Sequence, residues 1–108
     1  MPSITPQELK RLLASDGQEV AFLDIREFGE YGTGHPFQSV NVPFSLLEAQ
    51  IGELVPRLST LLVVMDSGDE GRARRSGQCL AELGYSNIAW LEGGAAGWRD
   101  GGMAGWRL

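Results

Sequence analysis

One stretch constrains the fold of this chain more than any other: Leu61-Leu62-Val63-Val64-Met65, followed by Asp66-Ser67-Gly68-Asp69-Glu70-Gly71-Arg72-Ala73. An uninterrupted apolar run bounded by polar residues is the pattern of a strand covered on both faces, as in a parallel sheet. Beyond the loop, Ala73, Gly77, Leu80 and Leu83 share one helical face. Strand, short glycine-bearing loop and helix in that order bring backbone N–H groups together at a helix N-terminus, just past the carboxyl end of a buried strand. Function in such folds usually sits there. In this chain Asp66 stands at the position where a nucleophile is expected, and the loop around it is acidic.

The flanking sequence fits the same architecture. Thr5-Pro6-Gln7-Glu8 reads as a capping box with proline at the first helical position, and Leu9, Leu12 and Leu13 supply an apolar stripe, so a helix is predicted over Pro6–Ala14. Asp16-Gly17 marks a turn and Val20-Ala21-Phe22-Leu23 a first buried strand, which ends in the charged cluster Asp24-Ile25-Arg26-Glu27. One or two helical turns fit in 27–31 before Gly32 and Gly34 stop them. His35-Pro36-Phe37-Gln38 reads as loop, and Ser39-Val40-Asn41-Val42 as a short strand ended by Pro43. Ser45-Leu46-Leu47-Glu48 is a second capping-box pattern, predicted to open a helix that Pro56 closes. Gly84 caps the helix after the loop, Ile88-Ala89-Trp90-Leu91 is the next strand, and Gly93-Gly94 leads into a short helix over 95–100. Strands alternating with helices at this spacing predict an α/β domain with a mostly parallel central sheet. Residues 101–108 are rich in glycine and without periodicity, and are read as a tail or the start of a linker, leaving 1–100 as the domain.

Composition removes several function classes. At 108 residues the chain is one domain, able to bury roughly 65% of its unfolded surface without metal or disulfides. Its formal charge of -5, from 14 acidic and 9 basic side chains, argues against a nucleic-acid or anionic-lipid partner. The longest apolar runs fall far short of the ~20 residues of a membrane span, and no signal-peptide pattern opens the chain, so a cytoplasmic protein is expected. A single cysteine and a single histidine exclude an internal disulfide and structural zinc. Gly93-Gly94 forms no dinucleotide fingerprint, and no cofactor is expected.

Four patterns then carry a resemblance. Leu23-Asp24-Ile25-Arg26-Glu27 with Glu30-Tyr31 is the first; Gly34-His35 followed by Asn41-Val42-Pro43 is the second. Glu82-Leu83-Gly84-Tyr85, and Leu91-Glu92-Gly93-Gly94 followed by Gly97-Trp98, are the third and fourth. In this order and spacing they resemble the rhodanese-like domain family over residues 4–98. The resemblance implies a single domain with a sheet of about five parallel strands flanked by helices. It also implies a loop in which a cysteine, cradled by N–H groups, takes sulfur from a donor such as thiosulfate and passes it on as a persulfide. A helix N-terminus stabilises both the thiolate and an anionic donor. Here that position holds Asp66; a shift of one places Met65 or Ser67 there, and none of the three is cysteine. The spacing from Asp66 to Arg72 resembles the longer loop of rhodanese-fold phosphatases, which also require cysteine. Asp66, Asp69 and Glu70 against Arg72 make the loop net negative. At an effective dielectric of ~20, like charges ~4 Å apart repel by ~4 kcal/mol, more than the ~0.3–2 kcal/mol of a helix terminus. Thiosulfate and phosphate are therefore expected to bind poorly.

Each candidate residue has a functional and a structural reading. Cys79 lies two helical turns beyond Arg72, too far along the helix for the loop to cradle it, and is expected to be an ordinary helix cysteine. Asp66 is either a carboxylate nucleophile or an internal anion that accepts the loop N–H groups itself. Arg72 is either an anion ligand or an ion-pair partner of Asp66, Asp69 or Glu70. The resemblance makes Asp24 and Arg26 a structural pair that braces the loops. His35, with no assignable serine or cysteine partner, is expected to hydrogen-bond locally. Trp98 is expected in the core, and Trp106 either packs back on the domain or meets a partner. The resulting expectation is a non-catalytic structural or interaction module of a larger rhodanese protein. Its partners would be further rhodanese domains of the same parent chain or another protein. The alternative is a thiosulfate sulfurtransferase of weak activity.

Overall fold

A computed structural model describes residues 1–101 and 106–107. In chain order the elements are β1 (Ser3–Ile4), α1 (Pro6–Ala14), β2 (Val20–Asp24), α2 (Phe28–Gly32), β3 (His35–Pro36), β4 (Val40–Asn41), a 3-10 turn (Phe44–Leu46), α3 (Leu47–Leu54), β5 (Leu61–Met65), α4 (Gly71–Glu82), β6 (Ile88–Leu91), α5 (Gly94–Asp100) and β7 (Trp106–Arg107). Five strands form one sheet in the order β1-β6-β5-β2-β4, every pair parallel. The apolar strand β5 is central and buried along its whole length, as its composition requires. Its register with β2 sets Asp24 beside Met65. The charged cluster after β2 and the acidic loop after β5 therefore leave the sheet at the same end.

Successive residues of the strands face opposite sides, which divides the core in two. Leu23, Val42, Leu62, Val64, Ala73 and Leu80 pack on the side of α3 and α4. Phe22, Val63, Met65, Leu91 and Trp98 pack with Leu9 on the side of α1 and α5. Helix α1 is opened by the expected capping box: the Thr5 hydroxyl accepts from Glu8 N–H and the Glu8 carboxylate from Thr5 N–H, each at 3.1 Å. Among the described residues no helix is long and apolar enough to cross a membrane.

Two local expectations are corrected, and one strand has no signal in the sequence. Ser45 does not cap a helix; it lies in the 3-10 turn and its hydroxyl donates to Glu27 Oε1 at 2.8 Å, while α3 starts at Leu47 without a side-chain cap. A distant carboxylate has taken the hydroxyl that a local cap needed. The segment from His35 is not all loop, because His35–Pro36 pairs antiparallel with Trp106–Arg107. Strand β1 is not legible in sequence, because two residues are too few to show a period and the strand exists only by pairing with Trp90 and Leu91. The glycine-rich tail read over 101–108 lies outside the described residues at 102–105 and 108. Within the described part, the Trp106 indole covers Gly34 so closely that a Cβ there would overlap it.

Candidate functional site

The loop between β5 and α4 is built around Asp66, which is 2% exposed. Gly68 N–H donates to its Oδ1 at 2.9 Å and Ala73 N–H to its Oδ2 at 3.0 Å. The carboxylate thus spans the loop and satisfies one of the donors that the first turn of α4 leaves without an intrahelical partner. Of the two readings, the internal anion is the one this geometry describes, since a nucleophile needs a lone pair exposed to substrate. Met65 is fully buried at the end of β5 and Ser67 is half-buried, its carbonyl accepting from Ala96 N–H at 3.2 Å.

The loop's shape depends on backbone that side chains resist. Glu70, the residue before α4, has φ of 69°, and Gly68 has φ of 134°. The start of α5 presses on the loop from the other side: Ala95 N–H donates to the Asp66 carbonyl at 2.8 Å. A Cβ on Gly94, whose φ is 58°, would lie 2.5 Å from Gly68 N and 2.6 Å from the Asp66 carbonyl oxygen. Gly94→Ala is therefore expected to cost at least about 2 kcal/mol, combining backbone strain with overlap against fixed backbone. Urea unfolding checks this, and a midpoint equal to wild type would show that the α5 start does not press on the loop.

Arg72 departs from the sequence reading. It forms no ion pair with Asp66, Asp69 or Glu70; instead Nη1 and Nη2 donate to Glu30 Oε1 and Oε2 at 2.7 and 2.8 Å. This two-point pair from α2 holds the Glu30 carboxyl below its usual range and the Arg72 guanidinium above its own. Asp69 and Asp66 also favour the charged Arg72. Glu70 reaches Arg74 at 3.8 Å, and Asp69 is exposed. Nothing local in the sequence indicates the Glu30 contact, because the partners are 42 residues apart. In sequence Glu30 stands out only as part of the Glu30-Tyr31 motif.

Beneath the loop, Asp24 is fully buried and pairs with Arg26, whose Nε lies 3.0 Å from Oδ1 and Nη2 2.7 Å from Oδ2. Arg26 Nη2 also donates to the Gly34 carbonyl at 2.8 Å, linking β2 to the turn before β3. Asn41 Nδ2 donates to the Asp24 and Arg26 carbonyls at 2.9 and 2.8 Å. His35 stacks on Tyr31 with ring centres 3.6 Å apart, and its Nδ1 is 3.0 Å from the Tyr31 carbonyl oxygen. It lies in this brace and not with Asp66. Cys79 sits half-buried on α4; burial, with Glu48 and Glu82 nearby, pushes its thiol pKa up, away from a nucleophilic thiolate. Among the described residues no group of three His, Cys, Asp or Glu side chains could hold a metal.

An all-parallel five-stranded α/β sheet, with a compact loop between its central strand and the following helix whose Gly68 and Ala73 N–H groups converge on Asp66, defines a class of α/β domain. The chain belongs to the rhodanese-like domain family, which it matches over residues 5–101. No curated protein matches it. Among solved structures it is similar to a thiosulfate sulfurtransferase from Pseudomonas aeruginosa, at 39% identity and a TM-score of 0.86 over 95% of this chain. The chain spans only 19% of that protein. It is also similar to a rhodanese-related protein from Thermoplasma volcanium, at 25% identity and a TM-score of 0.78 over 95% of both chains. The rhodanese-like domain of an Anabaena protein shares the fold at 23% identity, with a TM-score of 0.83 over 99% of this chain and 79% of that one.

Proposed function

We propose that this rhodanese-like domain is a non-catalytic structural or interaction module of a larger, cytoplasmic rhodanese protein. The observation that carries the reading is the Asp66 carboxylate, which occupies the loop with one oxygen on Gly68 N–H and the other on Ala73 N–H. A fixed anion in that place competes with thiosulfate for the same donors and repels it as well. Similarity to a fifth of a much longer thiosulfate sulfurtransferase supports the modular part of the reading, with further rhodanese domains as the natural neighbours.

The alternative is a sulfurtransferase of weak activity, favoured by the 39% identity to that enzyme. In this chain Cys79 alone could carry a persulfide, and its raised pKa on α4 works against it. The purified domain is expected to show no thiosulfate:cyanide sulfur transfer above a heat-inactivated control. Mass spectrometry after incubation with thiosulfate should find Cys79 unmodified. A stoichiometric gain of one sulfur atom on Cys79 would overturn the non-catalytic reading.

A further inference from the structure

Among the described strands, β4 closes one side of the sheet, with β2 on its inner flank and no strand on its outer one. Its register sets Val40 beside Leu23, which packs on the α3 and α4 side of the core, so the Val40 side chain stands on that side too. Val42 N–H donates to the Asp24 carbonyl at 2.9 Å. Successive residues of a strand turn their backbone groups to opposite flanks, so the N–H and C=O of Asn41 face the free edge. Beside them a groove of about 390 Å³ runs between β4 and α3, lined by Val40, Asn41, Ala49, Gln50, Glu53 and Leu54. The geometry points to this groove as a docking site for an extended segment of a partner protein, one that carries an apolar side chain flanked by Lys or Arg. The inference deepens the interaction reading above and rests on it, but it uses no residue of the Asp66 loop. Of the groove residues only Asn41 belongs to the four sequence patterns.

Three kinds of contact converge on such a segment. The Asn41 N–H and C=O offer one pair of β-type hydrogen bonds to an added strand. Alternate side chains of an extended segment face one way, and those on the groove side meet Val40 and Leu54, which are 49% and 51% exposed. Charge supplies the third contact: α3 carries Glu48 and Glu53 and no basic residue, and Glu53 lines the groove. Asp24 and Arg26, next to β4, neutralise one another, so the groove stays acidic. A formal charge of -5 on the whole chain adds to the attraction for a basic segment. A second copy of this chain does not fit. It would bring its own α3 carboxylates against these, and six lining residues fall well short of the roughly 20–30 a side of a stable protein interface. With only two residues in β4, the backbone bonds fix the register and the side chains discriminate between partners.

The test titrates the capped peptide Ac-Thr-Lys-Thr-Val-Thr-Lys-Thr-NH2 into the ¹⁵N-labelled domain. Its sequence reads the same in both directions, so valine sits between two lysines on one face whichever way the strand runs. Saturable shifts are expected at Val40, Asn41 and residues 49–54, below about 1 mM peptide. N-methylation of the two threonines that flank valine removes backbone donors but no charge, and should raise the Kd at least about fivefold. That loss separates strand addition from general attraction of a basic peptide to an acidic protein. Glutamates in place of the peptide lysines should weaken binding at least about tenfold, and Glu53→Lys, at an exposed position of α3, should reverse the preference between the two peptides. Sulfur transfer is measured separately, so failed docking removes this surface and leaves the non-catalytic reading of Asp66 intact. Absence of saturable shifts, shifts confined to other residues, equal affinity for the methylated peptide, or an unchanged preference in Glu53→Lys each overturns the proposal. A doubling of mass with protein concentration in the absence of peptide, with shifts at Val40 and Asn41, would overturn it by giving the edge to a second copy.

Discussion

Arg26→Ala is expected to destabilise the domain by about 3–5 kcal/mol, because it strands the fully buried Asp24 carboxylate without its cation. The same change removes the donor to the Gly34 carbonyl and so loosens the corner that β7 closes. Asp24→Ala is expected to cost a similar amount, since the guanidinium it leaves behind has only 7% of its side chain exposed and cannot rehydrate in place. In a domain of this size such losses lower Tm by more than about 10 °C. The double variant Asp24→Ala/Arg26→Ala should lose clearly less than the sum of the single changes, because removing both partners leaves no orphaned charge. Thermal and urea unfolding of the four proteins measure this cycle. Near-wild-type stability in both single variants would remove the brace and return Asp24 and Arg26 to the list of functional candidates.

What the sequence reveals divides along a physical line. Features fixed by local chemistry are legible: the apolar run of β5, the capping box of α1 and the helical face of α4 each follow from residues within a few positions of one another. Asp66 is legible too, because a strand end and a helix start bracket it in seven residues. Features created by long-range partners are not. Ser45 carries a helix-cap signature, but Glu27 takes its hydroxyl once the sheet brings the ends of β2 and β4 together. Arg72 is preceded in sequence by Asp66, Asp69 and Glu70, yet α2 delivers Glu30 in a two-point geometry that none of them achieves. Trp106 is a tail residue by composition and becomes part of a strand because Gly34 has no side chain to hold it off.

Asp66→Cys tests how much of the loop's chemistry remains once its anion is gone. A thiol at this position would meet the Gly68 and Ala73 N–H groups, the arrangement that lowers a cysteine pKa at a helix N-terminus. Sulfur transfer then requires the thiolate to attack the outer sulfur of thiosulfate, breaking the S–S bond and releasing sulfite, and the persulfide to give that sulfur to cyanide as thiocyanate. Both the thiolate and the donor are anions, and Asp69 and Glu70 remain on the loop, with Glu70 only loosely balanced by Arg74 at 3.8 Å. Asp66→Cys alone is therefore expected to give feeble turnover. Adding Asp69→Asn and Glu70→Asn should raise it at least about tenfold, since ~4 kcal/mol of repulsion per close charge pair at a dielectric of ~20 leaves a large effect even after solvent screening. Asparagine also suits the left-handed backbone at position 70, where φ is 69°. Thiocyanate formation by the single and triple variants at matched thiosulfate concentrations makes the comparison. Vigorous turnover by the single variant would mean that the acidic loop is no electrostatic barrier, and that the residue at 66 alone governs sulfur transfer.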